Sequence, residues 1–218
     1  MARYPGETSE KRIDQSSLQQ AIRRLFVACG MSEADADILA RSLVHADLRG
    51  IHSHGVLRVP DYVAKLTREG ANPKVRPWVV SDAGGAIVVD GDNAMGQIAG
   101  QFAMGLAIEK ARIANIALAV VRGSNHCGAL DWYTMRAAEE GMIGIAGSNA
   151  LPTMAPWGGV EKIVGLNPIS VAFPAGGVGP FVLDVALGAT AHGKIRVYAQ
   201  KGHSIPEGWA FDAEGQPT

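Results

Sequence analysis

Several side chains that could take part in acid–base chemistry lie close together near residue 55. His52, Ser53 and His54 follow one another directly, and Arg58 and Tyr62 lie within the same eleven positions. An imidazole suits proton transfer near neutral pH, and a guanidinium binds a carboxylate through two parallel hydrogen bonds. If a helix begins near residue 55, Arg58 and Tyr62 share one of its faces and are candidates for substrate binding. A polar helix entry would explain any one of these residues alone, but their density favours a site.

A second candidate histidine lies in a glycine-rich loop. His126 belongs to the segment 123–128, which follows an apolar run over residues 116–121. That run predicts a strand covered on both faces, and open α/β sheets bind ligands at the carboxyl ends of their strands. His126 is therefore a candidate proton carrier. A loop in which Ser124 or Asn125 caps the next helix accounts for the same residues equally well.

Two later segments have features that would suit a nucleotide or a phosphate. Residues 148–159 and 165–168 are rich in Pro and Gly, which predicts loops whose free N–H groups could also contact a nucleotide. Residues 188–194 fit the first seven positions of a phosphate-binding P-loop, but Ile195 replaces the required hydroxyl residue. No glycine fingerprint of an ordinary Rossmann fold lies between a predicted strand and a predicted helix.

A metal site is a weaker alternative, and we expect none. The side chains that could ligate a metal by type are His45, His52, His54, His126 and Cys127. No pair among them has the helical spacing of a zinc protease.

The residues that precede the first cluster predict a helical hairpin. Apolar residues at helical spacing are Leu18, Ile22, Leu25, Phe26 and Cys29. Gly30 suits the end of this helix, and Ser32 suits the start of a second helix that ends near Leu48. Residues 1–13 predict a flexible tail.

The pattern changes to β–α–β from residue 86. It predicts strands over 86–90, 116–121, 142–146 and 181–187, helices over 97–112 and 131–140, and a turn at 91–93. Loops follow at 122–128 and 147–159. This alternation predicts an α/β sheet with some parallel pairing. The turn-rich segment 206–218 has no closing helix or strand, which predicts a chain cut short.

Composition narrows the classes of protein further. The chain has 218 residues, of which 47% are hydrophobic and 19% charged, with a formal net charge of -1. These values are typical of a globular protein and exclude the basic field that a nucleic-acid binder needs. Two cysteines are too few for a disulfide framework. The sequence contains no long apolar run and begins with polar residues, so we expect a soluble, cytoplasmic protein without a membrane partner.

The motifs, taken in order, resemble those of the malate/L-lactate dehydrogenase family, which is unrelated to the Rossmann-type lactate dehydrogenases. The matching segments are 47–62, 125–128, 154–159, 167–169, 183–184 with 193–195, and 205–212. The resemblance covers about residues 14–218. It implies a non-Rossmann fold with a helical N-terminal domain over 14–80 and a mixed-sheet, cofactor-binding and catalytic region over 81–218. It also implies a homodimer.

The resemblance further implies an NAD- or NADP-dependent oxidoreductase that transfers a hydride between the cofactor and a small 2-hydroxy or 2-oxo acid. Some relatives reduce a cyclic imino acid instead. His54 and His126 would then lie at the reacting centre, with Ser53 and Asp184 as relay partners. The implied cofactor-contacting residues are Ser148, Val182, Leu183 and Asp184.

The sequence departs from the family pattern at several positions. Cys127 replaces a usual aromatic residue, Asp131 a small one, and Ala-Leu-Gly at 186–188 replaces a usual Ala-Thr-Ser. Relatives also continue beyond residue 218, so we expect a domain that is incomplete at its C-terminus. The alternatives are an inactive fragment or dimerising module of this family and, on weaker grounds, a P-loop-like phosphate-binding protein.

Overall fold

The computed structural model describes residues 12–212 and 214–218. The tail predicted over residues 1–13 lies almost wholly outside the described residues. The chain divides into two compact units, which meet in sequence between Trp132 and Tyr133. The predicted division into a helical region and an α/β region at residue 80 stays a prediction.

The predicted helical hairpin opens the first unit. Helix α1 (Gln15–Ala28) begins at Asp14, whose carboxylate accepts a hydrogen bond from the Ser17 amide at 2.8 Å. Helix α2 (Glu33–Leu48) begins at Ser32, whose side chain accepts a hydrogen bond from the Asp35 amide. These caps satisfy amides that have no partner within the helix. The hairpin and its ends confirm the prediction from periodicity.

The chain then makes two short 3-10 turns, His52–His54 and Val56–Arg58, before helix α3 (Val59–Thr67). The prediction of a helix that begins near residue 55 is therefore wrong in detail. Gly55 is extended, with φ -86° and ψ -152°, so the α-helical path cannot run through it. As a result, Arg58 lies just before helix α3.

A three-stranded sheet follows, formed by β1 (Trp78–Ala83), β2 (Ala86–Ala94) and β3 (Leu118–Ser124). Strand β2 pairs antiparallel with β1 and parallel with β3. Helix α4 (Gly96–Ala114) connects β2 to β3, as expected of a parallel crossover. The parallel pair confirms the predicted α/β pattern, and strand β1 was not predicted.

Two details of this sheet correct the sequence analysis. The turn predicted at 91–93 belongs to β2, where Asp92 and Asn93 adopt positive φ and the pairing register shifts. Strand β3 is not covered on both faces by the described residues, because the side chains of Leu118 and Val120 are 61% and 49% exposed. The two-sided apolar run predicted burial, but the helix packs on one face of the sheet only.

Most of the remaining elements belong to the second unit. In chain order the elements are α5 (Asp131–Glu139), β4 (Gly144–Gly147), β5 (Pro152–Met154), β6 (Val164–Gly165), β7 (Ile169–Phe173), β8 (Phe181–Val185) and α6 (His192–Gln200). Strand β7 pairs antiparallel with β4 and β8, and β5 pairs with β6. The strands predicted at 142–146 and 181–187 are confirmed with shifted ends, whereas β5, β6, β7 and α6 were not predicted.

Within the described ranges, no helix combines the length and the apolar character that crossing a membrane requires.

Candidate active site

The loop that carries His126 is tied to the end of β2 and the start of α4. The amide of Asn125 donates to the carbonyl of Ala94 at 3.0 Å, and the Gly96 amide donates to the carbonyl of His126 at 3.1 Å. The side-chain amide of Asn125 donates to the carbonyls of Asn93 and Ala94, both at 3.0 Å. A Cβ at residue 96 would overlap this loop, so the close approach depends on glycine. The position of His126 is therefore fixed by backbone contacts.

The segment that carries Ser53 and His54 is organised by Asp47 at the end of α2. One carboxylate oxygen of Asp47 lies 2.7 Å from Nδ1 of His52, and the other accepts a hydrogen bond from the Val56 amide at 2.8 Å. A Cβ at residue 55 would overlap this carboxylate. The Asp47 side chain thus holds the turn in the conformation that directs Ser53 into the protein, where it is buried.

The two candidate catalytic histidines meet. The rings of His54 and His126 are stacked, with centroids 5.4 Å apart and planes inclined by 22°. The hydroxyl oxygen of Ser53 lies 3.0 Å from Nδ1 of His54. Three of the predicted catalytic residues are therefore brought together within the first unit.

Tyr62 and Gln97 complete the surroundings of His126. The Tyr62 oxygen lies 2.7 Å from Nδ1 of His126, and Nε2 of Gln97 donates to that oxygen at 3.0 Å. The amide of Gly128 also donates to Nδ1 of His126, at 3.2 Å. Because Tyr62 is only 1% exposed and Gln97 is fully buried, these groups are shielded from solvent.

Burial and nearby positive charge keep both imidazoles neutral at pH 7. Burial, followed by the charges of His54, Arg58 and Lys65, lowers the pKa of His126 to about 3, against the opposing charge of Asp61. Burial and Arg58 lower the pKa of His54 to about 4. Both rings are therefore available as bases or as neutral hydrogen-bond donors.

The phenol of Tyr62 is shifted in the opposite direction. Burial raises the pKa of Tyr62 to about 12, although the hydrogen bond from Gln97 and the charge of Arg58 lower it. Burial disfavours the charged form of each group, so it raises the pKa of a phenol and lowers that of an imidazole. Tyr62 thus keeps its proton over the whole physiological range.

Arg58 supplies a cation with unused donor capacity. Its Nη1 donates to the Asp61 carboxylate at 3.1 Å. Its Nε is buried and has no hydrogen-bond partner among the residues that the structure describes. A buried donor without a partner is unfavourable unless a ligand completes it. A guanidinium in this state suits a carboxylate, as the sequence predicted.

Asp131, noted above as a departure from the family pattern, is a buried charge close to this site. Its carboxylate is fully buried and lies 2.6 Å from Nε of Arg49 and 3.5 Å from Nε2 of His45. Burial alone would raise the pKa of Asp131, but hydrogen bonds and charges from His45 and Arg49 outweigh burial and lower it. The negative charge in turn raises the pKa of His54, against the effects of burial and Arg58.

The predicted cofactor-contacting residues lie on the β4–β7–β8 sheet of the second unit. Leu183 pairs with Val171, which pairs with Ile145, and the three form an apolar row across the sheet. The Leu183 side chain is 47% exposed. Ser148 directly follows β4, and its exposed hydroxyl donates to the carbonyl of its neighbour Asn149. An exposed apolar row beside a hydroxyl fits a cofactor that has flat rings and polar hydroxyl groups.

The two other predicted cofactor-contacting residues lie on the same strand. Val182 and Asp184 occupy alternate positions of β8, on the face opposite to Leu183, and Asp184 pairs with Ser170. The relay and cofactor roles of Asp184 stay predictions.

Sequence reasoning missed three residues of the first unit. Gln97 was taken only as the start of a helix, and Asp47 and Arg49 only as parts of the motif at 47–62. No local pattern distinguishes Gln97, whose partner Tyr62 is 35 positions away. The described residues contain no cluster of three or more His, Cys, Asp or Glu side chains suited to a metal ion.

The sequence profile of the malate/L-lactate dehydrogenase family matches residues 13–218. The chain belongs to this family, as the motif order predicted.

Individual relatives support the same assignment. The chain is 45% identical over 207 residues to the malate dehydrogenase of Pyrococcus abyssi, covering 95% of the chain and 57% of the relative. It is 36% identical to a Δ1-pyrroline-2-carboxylate/Δ1-piperideine-2-carboxylate reductase of Pseudomonas putida, and the match covers 98% of the chain and 63% of the relative. The structure of sulfolactate dehydrogenase from Methanocaldococcus jannaschii matches with a TM-score of 0.86 and 40% identity, and the match covers 94% of this chain and 60% of that protein. The chain thus spans about 57–63% of the length of these relatives.

Proposed function

We propose that the first unit binds a small 2-oxo or 2-hydroxy acid and that the protein is an NAD(P)-dependent oxidoreductase acting on the carbon next to the carboxylate. The observation that carries the proposal is the stacked pair His54 and His126 beside Arg58, whose buried Nε has no partner among the described residues. The Arg58 charge also lowers the pKa of both histidines. Imidazoles and a guanidinium in this arrangement suit an acid whose neighbouring oxygen gains or loses a proton.

In the direction of reduction, the substrate carboxylate pairs with Arg58 and the carbonyl oxygen lies near the two imidazoles. A nicotinamide cofactor supplies the hydride, which is the chemistry that the protein side chains cannot provide. A C–H bond forms at the carbonyl carbon, the electron pair of the C=O double bond moves to oxygen, and a histidine N–H donates the proton. Oxidation of the hydroxy acid reverses each step, and a neutral imidazole then accepts the proton.

The proposed cofactor contacts are Ser148, Val182, Leu183 and Asp184, and either NAD or NADP could serve. The Pseudomonas putida relative is by name a reductase of a cyclic imino acid. A C=N bond next to a carboxylate presents the same geometry as a 2-oxo acid, so this substrate class is the second candidate. A homodimer and a cytoplasmic location remain predictions.

The first experiment measures oxidation of NADH and of NADPH by the purified chain. The substrates are the 2-oxo acids that correspond to lactate, malate and sulfolactate, together with Δ1-piperideine-2-carboxylate. We expect turnover with at least one pairing, and the preferred pair identifies the substrate class. A parallel titration with oxamate, followed by calorimetry, measures binding of a small acid without any reaction.

Matched variants separate the site from general effects on folding. Arg58→Met should abolish oxamate binding, whereas Arg41→Met removes a cation on α2 that pairs with Asp37 and should leave binding unchanged. Binding of oxamate without turnover would favour an inactive fragment of the family. Absence of both oxamate binding and turnover would refute the proposal. Release of phosphate from a nucleoside triphosphate would support the P-loop alternative.

A further inference from the structure

The direction of every hydrogen bond around His126 follows from one backbone amide. The Gly128 N–H lies 3.2 Å from Nδ1 of His126. A backbone amide donates and cannot accept, so Nδ1 must present its lone pair. The proton of the neutral ring therefore resides on Nε2. Gly128 has a φ of +72°, which L side chains rarely adopt, so this loop geometry depends on glycine.

The Tyr62 hydroxyl follows from the same constraint. Its oxygen lies 2.7 Å from Nδ1 of His126, and because that nitrogen has no proton, the phenol must be the donor. The raised pKa of Tyr62 agrees with a phenol that keeps its proton. The Tyr62 oxygen then needs a donor of its own, since its single proton is already engaged.

Gln97 supplies that donor from inside the protein. Its Nε2 lies 3.0 Å from the Tyr62 oxygen. The opposite orientation of the amide would place a carbonyl oxygen against a hydroxyl oxygen whose proton points to His126, so the network selects the observed orientation. A Cβ at residue 128 would lie 2.8 Å from Nε2 of Gln97, so the amide packs directly against the loop that carries His126.

We propose that Gln97 is a positioning residue which, through Tyr62 and together with the Gly128 amide, holds His126 in its neutral Nε2–H tautomer. His126 then serves as a fixed hydrogen-bond donor to the substrate oxygen, and His54 carries the transferred proton. This assignment rests on the proposed function. The neutral Nε2–H ring has no lone pair on Nε2 for a proton, and losing its proton would create an imidazolate anion. Nδ1 of His54 instead faces the Ser53 hydroxyl, which can either donate or accept.

With these roles, the proton and the hydride that reach the substrate each have a defined source. Burial and the Arg58 charge keep His54 neutral in the free protein, so in reduction His54 takes up a proton from solvent as the substrate carboxylate offsets the Arg58 charge. It then gives this proton to the substrate oxygen, so the N–H bond breaks, the O–H bond forms, and His54 becomes neutral again. The hydride and its two electrons come from the nicotinamide cofactor of the proposed function. His126 keeps its proton throughout and stabilises the negative charge that develops on the oxygen, as an oxyanion-hole donor does.

Histidine-selective 15N NMR of the full chain tests the tautomer without cofactor or substrate. Long-range proton–nitrogen correlation shows which ring nitrogen of each histidine carries the proton, and a His126→Gln spectrum assigns the signals. Near neutral pH, we expect His126 with a protonated Nε2 and a bare Nδ1. A dominant Nδ1–H form would overturn the proposal.

Two variants of similar size separate the role of Gln97 from packing. Gln97→Met should raise the Nδ1–H population of His126 by about fivefold, the change in an equilibrium constant that one neutral hydrogen bond supports. Gln101→Met is the matched control, because Gln101 lies one turn along α4 and its Oε1 has no partner among the described residues. This control should leave the His126 tautomer unchanged. Equal spectra of the two variants would refute the role of Gln97.

Measurements of kcat distinguish the roles of the two histidines. His126→Ala should lower kcat by about 10²–10³-fold, as removal of one oxyanion donor does. His126→Gln should recover at least part of this loss, since a glutamine amide places an N–H near the position of Nε2. His54→Gln should be as inactive as His54→Ala. If glutamine restored kcat at residue 54 but not at residue 126, the roles of the two histidines would be reversed. If His126 showed the Nε2–H tautomer but no substrate of the panel were turned over, only the proposed function would be refuted.

Discussion

Replacing Asp131 by Asn tests whether the buried ion pair next to the histidine site stabilises the first unit. The substitution keeps the volume of the side chain and removes a carboxylate that is fully buried against Arg49 and His45. Breaking a buried pair by removing one partner costs about 3–5 kcal/mol, because the other charge stays buried. The Arg49 side chain is 37% exposed and can recover part of its hydration. We therefore expect a loss of about 2–4 kcal/mol in the free energy of unfolding.

Urea unfolding followed by circular dichroism measures this loss, with Asp37→Asn as the control. Asp37 pairs with Arg41 on the surface of α2 at 3.7 Å, and such exposed pairs contribute about 0–1 kcal/mol. A double variant, Asp131→Asn with Arg49→Met, should recover most of the lost stability because no unpaired cation remains. If Asp131→Asn unfolds at the same urea concentration as the control, the reasoning about this buried charge is wrong.

The pH dependence of the Asp131 contribution has a defined sign. The folded-state pKa of Asp131 is lowered, so its stabilising effect is present above the unfolded-state pKa. The effect is lost as the pH falls through the folded-state value. The difference between the unsubstituted chain and Asp131→Asn should therefore be constant near neutral pH and shrink only in strong acid.

Three further predictions concern the histidine site. Tyr62→Phe leaves the buried Gln97 amide without its acceptor and should lower the free energy of unfolding by about 1–3 kcal/mol in urea. Arg58→Met removes a charge that lowers the pKa of both His54 and His126, so both values should rise in an NMR titration. Because these two folded-state pKa values lie below the ordinary histidine pKa of 6.5, stability should fall as the pH decreases below 6.5, by about 1.4 kcal/mol per pH unit for each histidine. Thermal melts between pH 7 and pH 4, with His54→Gln as the flatter comparison, measure this slope.

The helical hairpin could be predicted because its signals are local, whereas the meeting of His54 and His126, which are far apart along the chain, was implied only by the resemblance to the family. The spacing of Ile22 and Phe26 predicts one buried helix face, and both side chains are buried. His126 lies in a glycine-containing loop that follows a strand, and ligands generally bind at the strand ends of such sheets, so its position made it a candidate. For the hairpin, neighbours along the chain carry enough information.

The details that sequence analysis predicted wrongly depend on partners far away along the chain. Strand β3 has an apolar composition on both faces, yet Leu118 is 61% exposed because no described residue covers that face. The start of helix α3 depends on Gly55, whose extended conformation leaves room for the Asp47 carboxylate. Composition shows that a residue could be buried, but only the packing of distant elements shows whether it is.

Gln97 shows why a residue that controls chemistry can be missed in a sequence. Its position at the start of α4 is typical of an ordinary polar helix residue, and only burial against Tyr62 gives its amide a role. A buried amide requires partners, and here the partner that it supplies fixes the orientation of the phenol and, through the phenol, the tautomer of His126. The motif residues thus determine which chemistry the site can perform, whereas unremarkable polar residues behind them determine which protonation state is present.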